Sequence, residues 1–305
     1  MKLVKPSYEI WEQEPGLEGI YKQIEQVGRV CYKSEDKITE NSAKPFVDRM
    51  IKSQHYAMLE HGTVYMFIPI SCDKHDYNVA QKYHSNKYSK VIIRNEHFLL
   101  DKNGYYITTN LRVLVENGWM DNLKYICEST EFHEKRITVH FITDAGVMRE
   151  FFRHRVFSMA QESTRYCNYS KDKFNNRITF IIPNWIDLES YDDIYGLSGG
   201  EDGTVRPMES DDTNMAIYNY LCGLGYAEET YFNLLERGWK PQEARLVLPL
   251  NVKAEGVMTG FISDWKHFFR LRTSIIAETG KPHPQASELA DPLYKEFIAR
   301  KYINN

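Results

Sequence analysis

The chain has 305 residues, of which 42% are hydrophobic and 26% charged, and these proportions are those of an ordinary soluble globular protein. A chain of this length can bury a substantial core. The net charge of −4 argues against non-specific nucleic-acid binding, because proteins that bind mainly through the phosphate backbone are usually basic. A phosphate ligand would therefore have to be bound by a local group of arginines.

Neither a leader segment nor a membrane span is predicted. The first residues contain no apolar stretch long enough for a signal peptide, and the longest apolar run, Val64–Ile70, is much shorter than a membrane span. The cysteines are scattered and lack any C-x-x-C pairing: Cys31, Cys72, Cys127, Cys167 and Cys222. A cytoplasmic, reduced protein without a bound metal is expected. Cys167 is close to the polar segment described below, but no Cys-His pattern around it favours a nucleophile.

Hydrophobic spacing predicts the elements of the first half of the chain. Apolar residues at intervals of three and four indicate helices over 17–33 and 42–53. The run Thr63–Ile70 is typical of a strand. A second strand is predicted over Ile137–Thr143, and a helix follows it from about Ala145. That helix has one apolar face, so we expect its C-terminal end to hold the polar side chains that follow, Arg153 and His154, outward.

The elements predicted for the second half are a strand over Ile178–Ile182, a long helix over Thr213–Glu236 ended by Gly238, a helix beginning at Pro241, and helices over Trp265–Thr279 and Ser287–Lys301. Together the elements predict an α+β fold in which a small mixed sheet packs against long helices. We expect residues 1–305 to form a single domain.

Two segments do not fit this core and are predicted to be insertions. In residues 72–135, the sequences KVIIR and YYITT flank a turn-forming DKNG, which indicates a hairpin, and a short helix is expected over Asn117–Glu128. Residues 188–211 are rich in Asp, Glu, Ser and Gly, which is typical of an exposed acidic surface loop.

The most informative segment is Arg153–Tyr166, which reads RHRVFSMAQESTRY. Three arginines lie among Gln, Glu, Ser and Thr side chains and provide many hydrogen-bond donors. Arginine binds oxyanions with a planar fork and stays charged at any working pH, so the segment suits a phosphate or a heterocycle. The alternative is a solvated helix end with surface ion pairs.

An RHR, seven residues, a serine and a trailing Arg-Tyr resemble the signature of the flavin-dependent thymidylate synthases. Three further blocks resemble that family in the right order: His55 with Leu59–His61, the segment Glu243–Asn251, and the segment Asp264–Arg272. The resemblance covers roughly residues 42–71 and 137–295, and it is interrupted at both predicted insertions.

The resemblance implies conversion of dUMP to dTMP, with methylene-tetrahydrofolate as carbon donor and NADPH-reduced FAD as hydride source. It also implies a homotetramer with active sites shared between subunits, so that the RHR segment and Arg272 would come from different chains. No nucleic-acid or membrane partner is expected. Two other readings stay open: a flavoenzyme that modifies C5 of a pyrimidine nucleotide differently, for example by hydroxymethylation, and a non-catalytic nucleotide-binding module.

The resemblance also assigns site residues. The implied nucleotide contacts are Glu150, Arg153, Gln161, Ser163, Thr164, Arg165, Arg245 and Arg272. The implied FAD contacts are Arg153, His154, Arg155, Gln161, Ser263 and His267. Arg272 is the predicted catalytic residue. Arginine does not give up its proton in proteins, so its role would be to stabilise negative charge on the pyrimidine.

Some positions depart from the family pattern. Ala57 stands where Thr or Ser is common, Ala160 where Asn is usual, and Gln161 where many members have Glu. The histidines His55 and His61 allow two interpretations, as site residues or as histidines of the core and the strand edge.

Overall fold

The computed structural model describes residues 1–70, 74–95, 102–171, 174–186, 212–278 and 280–304. The strands are β1 Lys2–Val4, β2 Ser7–Trp11, β3 Thr63–Pro69, β4 Lys90–Arg94, β5 Gly104–Asn110, β6 Arg136–Asp144, β7 Ser158–Gln161, β8 Thr179–Ile181 and β9 Lys253–Phe261. The helices are α1 Gly16–Tyr32, α2 Ala43–Lys52, α3 Lys74–His84, α4 Leu111–Asn117, α5 Ala145–Phe151, α6 Asp212–Glu236, α7 Pro241–Ala244, α8 Ile262–Arg272 and α9 Pro284–Ala299.

The sheet that carries the site is antiparallel and has the strand order β2-β6-β9-β7. Val139 of β6 and Met159 of β7 lie on either side of Met258 in β9. Side chains alternate between the two faces of a strand. Met258 therefore packs with residues of α5, α8 and α9, whereas its neighbour Val257 packs against Val27 of α1. The sheet is thus covered by helices on both faces.

Strand β9 was not predicted from the sequence, although it lies in the middle of this sheet. Its glycines weaken the strand pattern, since glycine has low strand propensity. They are explained by close packing: a Cβ atom on Gly256 would collide with Met148 of α5, and one on Gly260 would collide with the ring of Phe157. The glycines bring the segment from α5 to β7 close to the sheet.

A second antiparallel sheet has the order β3-β5-β4. The predicted hairpin is confirmed, because Ile92 of β4 lies opposite Tyr106 of β5. Strand β5 also pairs with β3, where Met66 lies opposite Ile107, and the buried face of this sheet packs with α1 and α2. Segment 72–135 therefore shares a core with the N-terminal helices. That it is an insertion stays a prediction.

The predicted α+β fold is confirmed, with its strand pairings divided among separate sheets. Strands β1 and β8 form a parallel pair, and the two larger sheets are antiparallel. The helix expected over Asn117–Glu128 is wrong in extent. Gly118, with φ 68°, ends α4, and only a 3-10 turn over Met120–Tyr125 follows. The predicted acidic loop over 188–211 lies outside the described residues.

Helix α5 begins at Ala145, as predicted. The Asp144 side chain accepts a hydrogen bond from the Val147 N–H at 2.8 Å, which caps the first turn. The helix ends at Phe151, and the His154 N–H donates to the Phe151 carbonyl at 3.1 Å. The RHR segment is therefore a turn between α5 and β7 and not an extension of the helix.

Helix α6 ends and α7 begins where the sequence predicted. Gly238 adopts φ 92°, and the Trp239 N–H donates to the Leu234 carbonyl at 3.0 Å, as in a glycine-ended helix. Pro241 is the first residue of α7. No helix in the described ranges is both long enough and apolar enough to cross a membrane.

Helix α8 differs from the prediction of Trp265–Thr279. It begins at Ile262, because the Asp264 carboxylate accepts the Phe261 N–H at 3.1 Å. It ends at Arg272, because Thr273 turns to an extended conformation with ψ 152° and its hydroxyl donates to the Phe269 carbonyl at 3.0 Å. Arg272 is therefore at the C-terminal end of a helix and not inside one.

Candidate active site

Arg272 connects the end of α8 to the end of α5. Its Nη1 donates to the Glu150 carboxylate at 2.7 Å, its Nη2 to the Glu150 carbonyl oxygen at 2.8 Å, and its Nε to Nε2 of His154 at 3.1 Å. A guanidinium carries five N–H groups, so these bonds leave others available for a ligand. The arrangement holds one cation in a fixed orientation between two helices.

His154 is buried and neutral. Burial lowers the pKa of His154 to about 4, and the charge of Arg272 acts in the same direction. Because Nε2 accepts from Arg272, the imidazole proton is on Nδ1. The expectation that His154 is held outward is wrong, since only 7% of the residue is exposed. Its ring packs against those of Phe157 and Phe268, with centroids 6.3 and 5.0 Å away.

The two arginines that flank His154 in the sequence, Arg153 and Arg155, are exposed. Neither the Arg153 nor the Arg155 guanidinium has a hydrogen-bond partner among the residues that the structure describes. The exposed ring of His267 lies 5.9 Å from the His154 ring. Exposed guanidinium forks bind phosphate oxygens well. This set of donors therefore fits a cofactor with a diphosphate, such as FAD.

A second polar group lies on the loop after β7. The Thr164 hydroxyl accepts a hydrogen bond from Nη1 of Arg245 at 2.7 Å, and the Ser163 N–H donates to a carbonyl at the end of α1 at 2.9 Å. The exposed guanidinium of Arg165 lies 5.4 Å from the centre of the Tyr166 ring. Hydroxyl and guanidinium donors on one loop suit a phosphate group.

A chain of buried ion pairs beneath this loop was not predicted. The Glu162 carboxylate is 2.9 Å from Nζ of Lys253, which also pairs with Glu255, and Glu255 pairs with Lys33 at 2.8 Å. Burial alone would raise the pKa of Glu255, but Nε2 of His140, 3.3 Å from the carboxylate, and the two lysine charges hold that pKa well below its usual range. The two-residue spacing of Lys253 and Glu255 would have indicated a shared face only if β9 had been recognised as a strand.

The sequence profile of the family described as Thy1, thymidylate synthase complementing protein, matches residues 80–300. The chain belongs to this family. The matched range contains the RHR segment, Arg245 and Arg272, and it also includes most of segment 72–135.

Relatives within the family are distant. A probable flavin-dependent thymidylate synthase of Paramecium bursaria Chlorella virus 1 is 26% identical over 143 residues, which are 47% of this chain and 59% of the relative. A flavin-dependent thymidylate synthase of Tropheryma whipplei (strain TW08/27) is 27% identical over 160 residues, 50% of this chain and 59% of the relative. The chain thus spans about three fifths of the length of the curated relatives it matches.

Among solved structures, the UMP/dUMP methylase PolB from Streptomyces cacaoi bound with 5-Br dUMP superposes with a TM-score of 0.44 and 16% identity. The superposition covers 98% of this chain and 93% of that one. At this score and identity the likeness says nothing about function.

The structure brings together several residues that the family resemblance singled out. Glu150, His154, His267 and Arg272 form one group, and the charge of Arg153 acts on the pKa values of both His154 and Arg272. All of them belong to one chain. His154 and Arg272 of one chain are thus in contact, and active sites shared between subunits stay a prediction.

Ser263 lies apart from this group. The Ser263 hydroxyl donates to the Glu134 carboxylate, and Ser263 lies nine residues before Arg272 on α8, roughly 13 Å along the helix axis. Gln161 is half-buried at the end of β7, opposite Gly256. Ser263 and Arg272 therefore cannot both contact one small group within a single chain.

The structure distinguishes between the interpretations left open for His55, His61 and Cys167. His61 is a core histidine: it is fully buried, its Nδ1 is 2.8 Å from Oγ1 of Thr259, and burial lowers its pKa to about 3. His55 is exposed at the end of α2. Cys167 is buried in an apolar cluster with Tyr231, which argues against a role as a nucleophile.

Proposed function

We propose that this chain is a flavin-dependent thymidylate synthase, which converts dUMP to dTMP with methylene-tetrahydrofolate as carbon donor and NADPH-reduced FAD as hydride source. Membership of the family and the names of two relatives support this reaction. The observation that carries the proposal is Arg272, a cation held by Glu150 and His154 with N–H groups left for a substrate.

The chemistry of C5 explains why such an arginine is useful. Adding a carbon to C5 of a uracil ring moves negative charge onto the ring carbonyl oxygens. A donor that is already oriented stabilises this charge without reorganising, and one such donor typically contributes roughly 3 kcal/mol. Because His154 is neutral, it orients the guanidinium without adding a second positive charge. We assign the catalytic role to Arg272 and positioning roles to Glu150 and His154.

The loop after β7 would bind the nucleotide phosphate. Thr164 and Arg245 are hydrogen-bonded to each other, so they would present a hydroxyl and a guanidinium to the same anion. The proposed nucleotide contacts are Glu150, Arg153, Gln161, Ser163, Thr164, Arg165, Arg245 and Arg272. Glu150 would accept from the pyrimidine while it holds Arg272.

FAD, when bound, supplies the hydride, so the reaction requires no cysteine nucleophile. The exposed forks of Arg153 and Arg155 and the exposed ring of His267 would hold its diphosphate and ring system, together with His154 and Gln161. Ser263, at the other end of α8, would contact the flavin of a neighbouring subunit in a homotetramer. NADPH and methylene-tetrahydrofolate would be co-substrates.

Flavin absorbance and product mass test the proposal. The purified protein should carry FAD and should convert dUMP to dTMP when methylene-tetrahydrofolate and NADPH are supplied. A product with the mass of a hydroxymethyl nucleotide would favour the alternative C5 chemistry. Protein that binds dUMP but neither carries flavin nor turns over would be a nucleotide-binding module.

Single substitutions test which residues bind the flavin. His154→Ala and Arg155→Ala should retain much less FAD than the wild type, because both belong to the proposed flavin contacts. Arg300→Ala is the matched control, since Arg300 is a partly exposed arginine paired with Glu12 and Glu296 at the far end of α9. Equal flavin occupancy in all the proteins would remove His154 and Arg155 from the flavin site.

A further inference from the structure

The ion pairs beneath the loop after β7 form an unbroken alternation of charge. Its members, in order, are Glu162, Lys253, Glu255, Lys33 and Glu35. Each lysine contacts two carboxylates, and Glu255 contacts both lysines. The Glu162 side chain is only 1% exposed, whereas that of Glu35 at the other end is 40% exposed. The chain of charges therefore runs from the base of the loop to the surface.

Backbone bonds attach the same loop to the same two elements. The Glu162 N–H donates to the Glu255 carbonyl at 2.8 Å, and the Ser163 N–H donates to the Cys31 carbonyl at 2.9 Å, two residues before Lys33. Lys33 ends α1 with φ 47°, a conformation that is unfavourable for a residue with a side chain. The Lys33 N–H donates to the Val30 carbonyl at 3.2 Å and the Ser34 N–H to the Arg29 carbonyl at 3.1 Å, which ends the helix, while Nζ of Lys33 pairs with Glu35 and Glu255. The loop, β9 and the end of α1 are thus joined through both backbone and side chains.

Lys253 of the innermost pair is charged at neutral pH. Burial alone would lower the pKa of Lys253, but the charges of Glu162 and Glu255 outweigh burial and raise that pKa. Separating a buried pair leaves an uncompensated charge and is strongly unfavourable, although such a pair contributes little net stability compared with apolar residues. Its main physical effect is therefore to restrict where Glu162 can lie, and with it the residues that follow.

We propose that Glu162 and Lys253 are positioning residues, which hold Ser163 and Thr164 in the orientation that binds the nucleotide phosphate. This inference rests on the function proposed above. The loop cannot shift toward or away from β9 without pulling Glu162 off Lys253. Its donors are thus ordered before the nucleotide arrives, which reduces the entropy lost on binding.

The test compares dUMP with deoxyuridine, which lacks the phosphate. In Glu162→Gln, the affinity for dUMP should fall about tenfold or more, while the affinity for deoxyuridine stays within about twofold and kcat at saturating dUMP within about threefold. Lys253→Met should behave in the same way. The double variant should lose no more dUMP affinity than the worse single variant, because both changes break one interaction.

Glu25→Gln is the matched control. Glu25 is an equally buried carboxylate, paired with Arg29 on α1 at 2.6 Å, and its loss should lower stability without changing the ratio of the two affinities. The inference would be overturned if the ratio of the affinities for dUMP and deoxyuridine were unchanged in Glu162→Gln, or if it changed equally in the control. Additive losses of dUMP affinity in the double variant would also overturn it. If Glu162→Gln does not fold, Lys253→Met decides. Wild-type protein that does not prefer dUMP would instead refute the proposed function, and the inference with it.

Discussion

Burial determines the charges around Arg272. The imidazole of His154 is neutral because its surroundings are apolar and cationic. Glu150, which is more exposed, accepts from the guanidinium through one oxygen of its carboxylate and through its backbone carbonyl oxygen. Burial also lowers the pKa of Arg272, and the charge of Glu150 opposes this effect. The group is therefore a single cation with one anionic and one neutral support.

Substitutions of Arg272 and of Arg245 should affect different kinetic constants. Arg272→Ala should reduce kcat on the order of 10²-fold or more, with FAD still bound, because charge on the pyrimidine would lose its donor. Arg272→Lys should recover little, since an ammonium cannot replace the fork that bonds both Glu150 and His154. Arg245→Ala should mainly weaken dUMP binding, with a smaller change at saturation.

Steady-state kinetics and dUMP affinity for these variants decide the assignment. Near-wild-type kcat in Arg272→Ala would show that its charge is not used in catalysis. A loss of kcat in Arg245→Ala as large as that in Arg272→Ala would contradict the separation into a phosphate-side and a pyrimidine-side arginine.

The buried histidine predicts a pH dependence of stability. The pKa of His154 is about 4 in the folded protein and ordinarily 6.5, so between these values the unfolded chain binds a proton that the folded chain does not. The contribution of His154 to the free energy of unfolding is therefore complete above pH 6.5. It decreases as the pH falls toward 4, by up to about 1.4 kcal/mol per pH unit.

Urea unfolding between pH 7.5 and 5 measures this effect in the wild type and in His154→Gln. Since His61 is also buried with a low pKa, both proteins should lose stability, but the wild type should lose more per pH unit. Parallel curves would mean that His154 gains its proton as easily in the folded protein as in the unfolded chain.

At the scale of elements, the position of the RHR turn depends on α5, which has only seven residues. A helix this short has little stability of its own, so its N-terminal cap and its packing on the sheet matter. Asp144 caps it through Oδ1, and its Oδ2 accepts from Nε2 of Gln285 on α9 at 3.1 Å. One side chain thus ties the helix that carries Glu150 to the C-terminal helix.

Asp144→Ala should lower the free energy of unfolding by about 1–2 kcal/mol, from the lost cap and the lost bond to Gln285. It should also reduce kcat, because Glu150 at the other end of α5 holds Arg272. Asn110→Ala is the matched control: Asn110 caps α4 by accepting from the Val113 N–H at 3.2 Å, so it should cost similar stability without an effect on kcat. Equal kcat losses in both would show that the effect is not specific to α5.

At the scale of the whole molecule, large apolar side chains are exposed next to the site residues. Val156 follows the RHR, Tyr166 follows Arg165, and Leu246 follows Arg245, with 63, 60 and 78% of each exposed. Apolar groups exposed together on a surface mark interaction sites, so we predict that these segments contact another subunit. The homotetramer that the family resemblance implies stays a prediction.

Light scattering after size-exclusion chromatography tests this interface. Four copies of the 35.9 kDa chain should give a mass of about 144 kDa. Leu246→Asp and Val156→Asp should yield smaller species with little activity, because a buried aspartate without a partner is unfavourable. Tyr77→Asp on α3, which is 51% exposed and distant from these segments in sequence, should leave the mass unchanged. A monomeric, fully active wild type would exclude the shared-site assembly.

The sequence by itself determined the features that depend on local pattern. The apolar spacing located α1, α2 and α9 within a few residues, the Asp before Ala145 and the Gly at 238 marked helix ends, and the order of polar residues in Arg153–Tyr166 indicated the family. Such features arise from bonds and contacts between residues that are close in the chain, so they are visible in short windows of sequence.

Only the tertiary structure decided the state of the site residues. Arg272 reaches His154 across 118 positions of sequence, and Lys33 reaches Glu255 across 222. These contacts depend on how α8, α5 and α1 pack on a central strand that has two glycines and was not recognised. Burial of His154, the orientation of Arg272 and the ionised state of Glu255 follow from that packing, because desolvation and charge pairing are set by neighbours in space and not by neighbours in sequence.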